Sequence, residues 1–287
     1  MTNALSEQIR TFYLESGKLS VLPSNIDTSS LSSDVEDLVK VVQGLLIHVF
    51  WLDRYGLKLP PDRQDEVNLR DFDKKFVKLF QLDPAPIDTP RPMERRLVGN
   101  CRDFSNFLSA LLKSKGIPAR ARCGFGAYFM PGTYEDHWVT EYWSDSESRW
   151  IMVDAQLDDL QKEVLKIKFN TLDVPSYQFV TGGKAWLLCR AGQADPQKFG
   201  IFKMRGMDFI RGDLIRDFLA LNNLEILPWD NYGLIAKHKS QLNEKEIELL
   251  DHIAGLTLEP DESFEEIRSI YQNNKDLQIP PAWIPIH

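Results

Sequence analysis

The sequence has 287 residues, of which 43% are hydrophobic, which is enough for one large domain or for a core with helical additions. Its 34 basic and 42 acidic residues give a formal net charge of -8, and an acidic surface repels a phosphate backbone, so we expect no nucleic acid partner. Three cysteines are too few for a disulfide framework, which predicts free thiols and a reducing compartment.

The N-terminal residues mix charged with apolar side chains and lack the uninterrupted apolar core of a signal peptide. No stretch of the sequence approaches the length needed to span a membrane. We therefore expect a cytoplasmic protein without a membrane partner. The densest basic cluster, Arg91, Arg95 and Arg96, is short and is interpreted as a solvated loop.

Residues 1–92 are predicted to form a helical region that packs on the core. Ser33 and Glu36 have the spacing of a capping box, and apolar residues follow at intervals of three and four. These apolar residues are Val35, Leu38, Val42, Leu45, Leu46 and Val49. The pattern predicts one long amphipathic helix that ends near Gly56. A second helix is predicted around Phe72, and a proline-rich run then links this region to the core.

Two further regions complete the predicted organisation, and together the three indicate an α+β protein. Residues 93–200 are predicted to form the core, because one helical pattern is followed there by strand patterns. The candidate catalytic residues described next all lie in this region, which makes it the predicted catalytic core. Residues 201–287 return to helical patterns, in GDLIRDFLALNN, EKEIELLDHIAGL and SFEEIRSIYQNN. We interpret these C-terminal segments as packing helices.

The segment that begins at Asn100 carries the first candidate catalytic residue. Apolar residues at helical spacing predict a helix that ends at Gly116 and Pro118, and they are Phe104, Phe107, Leu108, Leu111 and Leu112. Cys101 lies in the first turn, with Asn100 as the N-cap residue and Asp103 as a first-turn carboxylate. The helix dipole and free amides at this end favour a thiolate and can hold an oxyanion.

A nucleophilic cysteine needs a base, and one of the five histidines has a suitable position. The histidines are His48, His137, His238, His252 and His287. His48 and His252 lie in helical patterns and are interpreted as packing or surface residues. His137 opens the alternating stretch HWVTEYW, which predicts a strand. The returning strand WIMVDAQ carries Asp154 near its end.

Hairpin geometry predicts that His137 and Asp154 are neighbours. The start of the first strand and the end of the second lie side by side in an antiparallel hairpin. The two side chains lie on the same face of the sheet if the residue numbers of two directly paired residues add up to an odd number, near 291 or 293. Asp154 would then orient the imidazole while its other nitrogen faces the Cys101 thiol. The other two cysteines, Cys123 and Cys189, are interpreted as core residues.

The ordered set of a C-x-D motif, an apolar helix, GIPAR, HWVTEYW and WIMVDAQ resembles the transglutaminase-like superfamily, from about Asn100 to Gln156. In that family the nucleophile is the cysteine that opens the helix, the base is the histidine that begins a strand, and the acid lies at the end of the next strand. The resemblance therefore implies a triad of Cys101, His137 and Asp154. The flanking helical regions do not match the family's pattern.

The resemblance also implies a fold and a reaction class. The implied fold is a papain-like core in which the nucleophile helix packs on an antiparallel sheet, with added N- and C-terminal helices. The implied reaction is acyl chemistry through a thioester, and the leading hypothesis is hydrolysis of an amide or peptide bond. Acyl transfer to an amine, as protein crosslinking or as amide formation on a small metabolite, is the alternative. A non-catalytic binding module is the third possibility.

The expected substrate is a peptide or a small acyl compound, and neither a cofactor nor a metal is expected. No dinucleotide loop, zinc motif or EF-hand loop occurs in the sequence. Tyr128, Phe129 and Tyr134 are candidates for an apolar wall, whereas alternation places Trp138 and Tyr142 on the face opposite His137. A side-chain oxyanion donor is expected upstream of Cys101, and the candidates are Gln43, Trp51 and Asn100.

Overall fold

A computed structural model describes residues 4–285 as a mixture of helices and short strands. The helices are α1 (Glu7–Leu14), α2 (Val35–Leu45), α3 (Pro61–Gln64), α4 (Phe72–Leu82), α5 (Cys101–Ser114), α6 (Asp159–Leu165), α7 (Gly182–Arg190), α8 (Met207–Ala220), α9 (Gly233–Ala236), α10 (Glu244–Leu256) and α11 (Phe264–Asn273). The strands are β1 (Leu46–His48), β2 (Leu97–Gly99), β3 (Ala119–Gly126), β4 (Tyr134–Ser144), β5 (Arg149–Val153), β6 (Phe179–Thr181), β7 (Phe199–Ile201) and β8 (Met204–Arg205). His287 lies outside the described residues.

The main sheet has six strands, with the order β6-β3-β4-β7-β8 and with β5 also paired to β4. The hairpins β3–β4 and β4–β5 are antiparallel, as expected from their short connections. The predicted antiparallel sheet is nevertheless wrong in one pairing, because β7 runs parallel to β4 and makes the sheet mixed. The chain between β5 and β7 passes through α6, β6 and α7, and a connection of that length leaves the direction of β7 free.

Helix α5 forms where the sequence predicted it, and it begins at the expected residue. Asn100 is the N-cap, and Asn100 and Asp103 form a complete capping box. The apolar face of α5 packs with α2 and α4 on one end of the main sheet, in a core that includes Phe107 and Ile151. Gly116 ends the segment in the left-handed conformation, and β3 then starts at Ala119.

The prediction of one long helix that starts after Ser33 and ends near Gly56 is wrong about both the start and the length of the helix. Asp34 caps α2 instead of Ser33, because the Asp34 carboxylate accepts two backbone N–H groups of the first turn. Helix α2 ends at Leu45, and the next three residues form β1, which pairs in parallel with β2. A 3-10 helix, Val49–Tyr55, follows and ends at Gly56 in the left-handed conformation. Pairing with a distant segment has overridden the local helical pattern here.

The C-terminal helices agree with their sequence patterns and build a second core. Helices α7, α8, α10 and α11 pack around the other end of the sheet, in a cluster that contains Phe125 and Phe218. A small cluster lies apart from both cores and consists of Cys101, Ala121, Cys123, Trp138 and Ala220. We propose that the chain is organised in three regions, residues 1–92, 93–200 and 201–287.

The basic cluster before the core is only in part the solvated loop that the sequence suggested, because Arg95 is exposed whereas Arg91 is buried. The Arg91 guanidinium is buried and donates hydrogen bonds to the backbone carbonyls of Asp83 and Ala85. The Arg96 side chain in turn donates to the Arg91 carbonyl. These guanidinium groups satisfy carbonyls of an irregular proline-rich segment, which has few backbone partners of its own. Within residues 4–285, no helix is long and apolar enough to cross a membrane.

Gly182, at the start of α7, is expected to tolerate no side chain. A Cβ atom there would lie 2.5 Å from the backbone carbonyl of Asp213 in α8. We expect Gly182→Ala to lower the free energy of unfolding by about 1–3 kcal/mol, measured by urea denaturation. Gly255→Ala is the matched control, because a Cβ at Gly255 in α10 meets nothing within 4 Å and alanine is the better helix former. Equal stability of the two variants would contradict the close packing of α7 on α8.

Candidate active site

Cys101 is the first residue of α5, and buried charges hold this end of the helix in place. The Asp103 carboxylate accepts the Asn100 backbone N–H and forms ion pairs with Lys75 in α4, at 2.9 Å, and with Arg102, at 3.1 Å. The Arg102 guanidinium also donates to the Glu225 carbonyl beyond α8. Helix α5 therefore begins at a position fixed by both of the flanking helical regions.

The sulfur of Cys101 lies in a gap along one edge of β4. On that edge, β7 pairs with Tyr134 and Glu135, and β5 pairs with β4 only from Thr140 onward. The Trp138 backbone N–H falls between these two pairings and hydrogen-bonds to the Cys101 sulfur. The thiol is thus held beside the residue that follows His137, although α5 packs on the opposite face of the sheet from the His137 side chain.

Burial raises the pKa of the Cys101 thiol well above its usual range, and the nearby Asp136 carboxylate raises it further. The backbone N–H groups of Arg102 and Trp138 act in the opposite direction, since they stabilise the thiolate. The sequence predicted that the helix start alone would favour a thiolate, and the structure corrects this expectation. A thiol in this environment needs a base to remove its proton.

His137 and Asp154 are directly hydrogen-bonded. The residue numbers of paired residues in β4 and β5 sum to 293, an odd number, so the register is the one that places both side chains on one face. His137 Nε2 lies 2.8 Å from Asp154 Oδ2, and both residues are buried. The Tyr128 hydroxyl donates to the same carboxylate oxygen at 2.6 Å. The Gln156 backbone N–H donates to the other oxygen, Oδ1, at 3.0 Å. The Asp154 carboxylate is therefore held by three partners, and His137 retains Nδ1 for other contacts.

Aromatic side chains surround this pair, as the sequence suggested for two of its three candidates. The Phe129 ring lies 4.7 Å from the His137 ring, and the Tyr128 ring lies 5.9 Å from it. The third candidate, Tyr134, instead stacks on Phe199 at 4.5 Å, within the second core. Trp138 lies on the opposite face in the small cluster with Cys101, which confirms the predicted alternation.

The three candidate oxyanion donors have different surroundings. The Gln43 side-chain amide donates one of its two N–H groups to the Ala155 carbonyl at 3.1 Å. Asn100 Nδ2 is buried without a hydrogen-bond partner among the described residues. Trp51 lies half-buried in the 3-10 helix after β1. The sequence prediction for His48 is wrong in one respect, because His48 is a buried strand residue rather than part of a helix.

A second group of titratable side chains lies behind the site. Ligand atoms of Cys123, Asp136 and Asp213 are all within 4.8 Å of one another and could hold a small cation. Arg216 donates to Asp213 at 3.1 Å and already supplies one positive charge. Burial raises the pKa of both carboxyl groups, and their proximity raises that of Asp213 further. We therefore interpret the group as a carboxyl pair that retains a proton. Cys123 is buried, as predicted.

The raised pKa of Asp136 predicts a pH effect on stability. The folded protein holds this proton more tightly than the unfolded chain, so stability falls as the pH rises above the ordinary aspartate pKa of about 4. Asp136→Asn stays neutral and should exceed the wild type by about 1–3 kcal/mol at pH 8, with no gain at pH 4. Urea denaturation at both pH values measures the difference. Equal stability of the two proteins at pH 8 would contradict a destabilising negative charge on Asp136 in the folded protein.

Comparison with known proteins adds one finding. Residues 80–155 match the family model of the transglutaminase-like superfamily. The resemblance named from the sequence is thereby confirmed for this segment, which contains Cys101, His137 and Asp154. No curated protein and no solved structure matches the chain. The match supports cysteine-based acyl chemistry in general, in a superfamily that is generally enzymatic, and it leaves the subfamily undetermined.

Proposed function

We propose that the protein is a thiol enzyme that forms a thioester with its substrate, with Cys101 as nucleophile, His137 as base and Asp154 as the residue that orients the base. The observation that carries this proposal is the 2.8 Å bond between His137 and Asp154, together with the Cys101 sulfur held by the backbone N–H of Trp138, the residue after His137. A buried imidazole that is fixed by a carboxylate, next to a thiol at a helix start, is the arrangement that nucleophilic cysteine catalysis requires.

The reaction follows from these positions. His137 accepts the thiol proton through Nδ1, since Nε2 is bound to Asp154, and the Cys101 sulfur attacks the substrate carbonyl carbon. The backbone amides at the start of α5 stabilise the oxyanion that forms. The bond to the leaving group then breaks, and the leaving amine or alcohol takes the proton from the imidazolium. Water, deprotonated by His137, attacks the thioester, and release of the acid restores the thiol.

Hydrolysis of an amide or peptide bond is the proposed outcome, and acyl transfer to an amine is a second candidate with one observation in its favour. His137 and Asp154 are each only 1% exposed and Cys101 is 8% exposed. Tyr128 and Phe129 lie against the His137 ring. Exclusion of water protects a thioester from hydrolysis and so favours transfer. The two outcomes differ in whether an added amine carries the acyl group away.

The proposed setting is a reducing one, and the proposed substrate is a peptide or a small acyl compound. All three cysteines are free thiols, and the nucleophile must stay reduced to act. The net charge of -8 argues against nucleic acid as a partner. We propose a cytoplasmic location on these grounds, and no bound cofactor or metal takes part in the steps above.

The test is peptide mapping by mass spectrometry after incubation of the protein with a library of esters and amides, with and without an added primary amine. We expect an acyl adduct on the peptide that contains Cys101, and its mass identifies the acyl group. Prior alkylation of Cys101 should prevent the adduct. Loss of the adduct in the presence of amine, with appearance of the new amide, would establish transfer rather than hydrolysis. An adduct confined to other residues would contradict the proposal.

A further inference from the structure

His48 is a buried histidine that the proposed triad does not use, and the fold places it beside the nucleophile. It is the last residue of β1, and its Cα pairs in parallel with that of Gly99, two residues before Cys101. The His48 ring stacks against Phe104, one turn into α5, with ring centroids 6.3 Å apart. Its electrostatic neighbours include His137, Asp103 and Asp154. His48 is therefore buried next to the start of α5 and close enough to His137 and Asp154 for their charges to act on it.

The hydrogen bonding of His48 determines which ring nitrogen carries its proton. The Phe50 backbone N–H donates to His48 Nδ1 at 3.2 Å, so Nδ1 is an unprotonated acceptor. Burial lowers the pKa of His48 to about 3, and the nearby His137 lowers it further, so the ring is neutral at physiological pH. The single ring proton must then reside on Nε2. His48 is a fixed, neutral N–H donor with its acceptor side already occupied.

Such a donor fits the chemistry that the proposed reaction needs. A neutral imidazole can stabilise a developing oxyanion by donating a hydrogen bond without surrendering its proton. Of the other upstream candidates, Gln43 already donates one amide N–H to a backbone carbonyl, and Asn100 Nδ2 is buried. Trp51 lies further along the 3-10 helix that follows His48. This 3-10 helix begins directly after His48 and fixes the ring through the Phe50 bond.

We propose that His48 Nε2–H donates a hydrogen bond to the oxyanion formed when the Cys101 thiolate attacks a carbonyl group. This inference rests on the proposed function, and it assigns to His48 a role that the sequence pattern did not suggest. His48 acts in the addition step and stabilises negative charge on the substrate oxygen. It takes no proton from the thiol, which remains the role of His137.

The experiment compares two reactions of the same thiol. Acylation by p-nitrophenyl acetate passes through an oxyanion, whereas alkylation by iodoacetamide displaces iodide at a saturated carbon and forms none. In His48→Ala we expect acylation of Cys101 to slow by about 10²–10³-fold. Alkylation of Cys101 should change by less than about threefold. His48→Gln, which keeps a side-chain N–H donor, should recover part of the lost acylation rate.

The controls separate loss of the donor from loss of the fold. His252→Ala alters an exposed histidine in α10 and should leave both reactions unchanged. Cys123 is fully buried, so its alkylation reports an unfolded variant. If His48→Ala unfolds, His48→Phe keeps a ring against Phe104 without an N–H donor and takes its place. Unchanged acylation in the folded variant, or an equal loss in both reactions, would overturn the assignment of His48. A wild type that shows no acylation at Cys101 would instead overturn the proposed function and this inference with it.

Discussion

Replacement of Cys101 with alanine is expected to abolish acyl-enzyme formation and to reduce turnover of an active ester by at least about 10³-fold. The sulfur is the atom that bonds to the acyl carbon, and no other group at the site can take its place. The fold should survive, because the change removes one atom from a small cluster that lies apart from both main cores. Stopped-flow measurement of p-nitrophenolate release, together with thermal unfolding, checks both parts.

Cys189→Ala is the matched control for this prediction. Cys189 lies in α7, in the second core, and it is 9% exposed, close to the 8% of Cys101. Its removal should leave ester turnover unchanged. Full activity in Cys101→Ala, or an equal loss in the two variants, would contradict the role proposed for Cys101.

Replacement of His137 with alanine is expected to slow acylation of Cys101 by about 10²–10⁴-fold at pH 7. Burial raises the pKa of the Cys101 thiol, so the thiolate is scarce unless His137 removes the proton. The loss should diminish as the pH rises, because hydroxide replaces the missing base. The pH dependence of the acylation rate, measured for both proteins, checks this prediction.

His238→Ala provides the control for His137. His238 is exposed and its Nδ1 bonds to Ser240, outside the site. This variant should follow the wild-type pH profile. An acylation rate within threefold of wild type in His137→Ala would show that another group activates the thiol.

The parts of the site that lie close together in sequence could be predicted from local pattern. Helix α5 carries its own signals, with Asn100 and Asp103 at its start and Gly116 after its end. The hairpin of β4 and β5 is closed by a short polar turn, so the sequence predicted that His137 and Asp154 are neighbours, and the observed register places them on one face. These elements needed no information from the rest of the chain.

The parts that depend on distant contacts could not be predicted in this way. Residues 46–48 continue a helical pattern, yet they form β1 because β2 provides a parallel partner about 50 positions later. His48 was assigned to a helix for that reason, and its place beside Cys101 was missed. The carboxyl pair of Asp136 and Asp213 joins β4 to α8, and the sequence carries no signal for that contact.

The raised pKa of Cys101 also escaped sequence analysis. A helix N-terminus favours a thiolate, but burial opposes it, and the degree of burial depends on tertiary packing around the helix start. The local pattern gave only the favourable contribution. The structure adds the effect of burial, which is larger and raises the pKa of the thiol. The proposed base His137 must therefore remove a proton from a weaker acid than a thiol activated by the helix start would be.

The most direct test of the proposed nucleophile is the rate at which iodoacetamide alkylates Cys101 and Cys189 in the same folded protein. The two thiols are almost equally exposed, and burial raises the pKa of both, to about 11 for Cys189. Exposure and burial alone therefore predict that Cys101 reacts no faster than Cys189, because burial raises the pKa of the Cys101 thiol well above its usual range. Activation by His137 predicts that Cys101 reacts faster by at least about tenfold at pH 7, and that His137→Ala removes the difference. A Cys101 that reacts no faster than Cys189 in the wild type would contradict its role as an activated nucleophile.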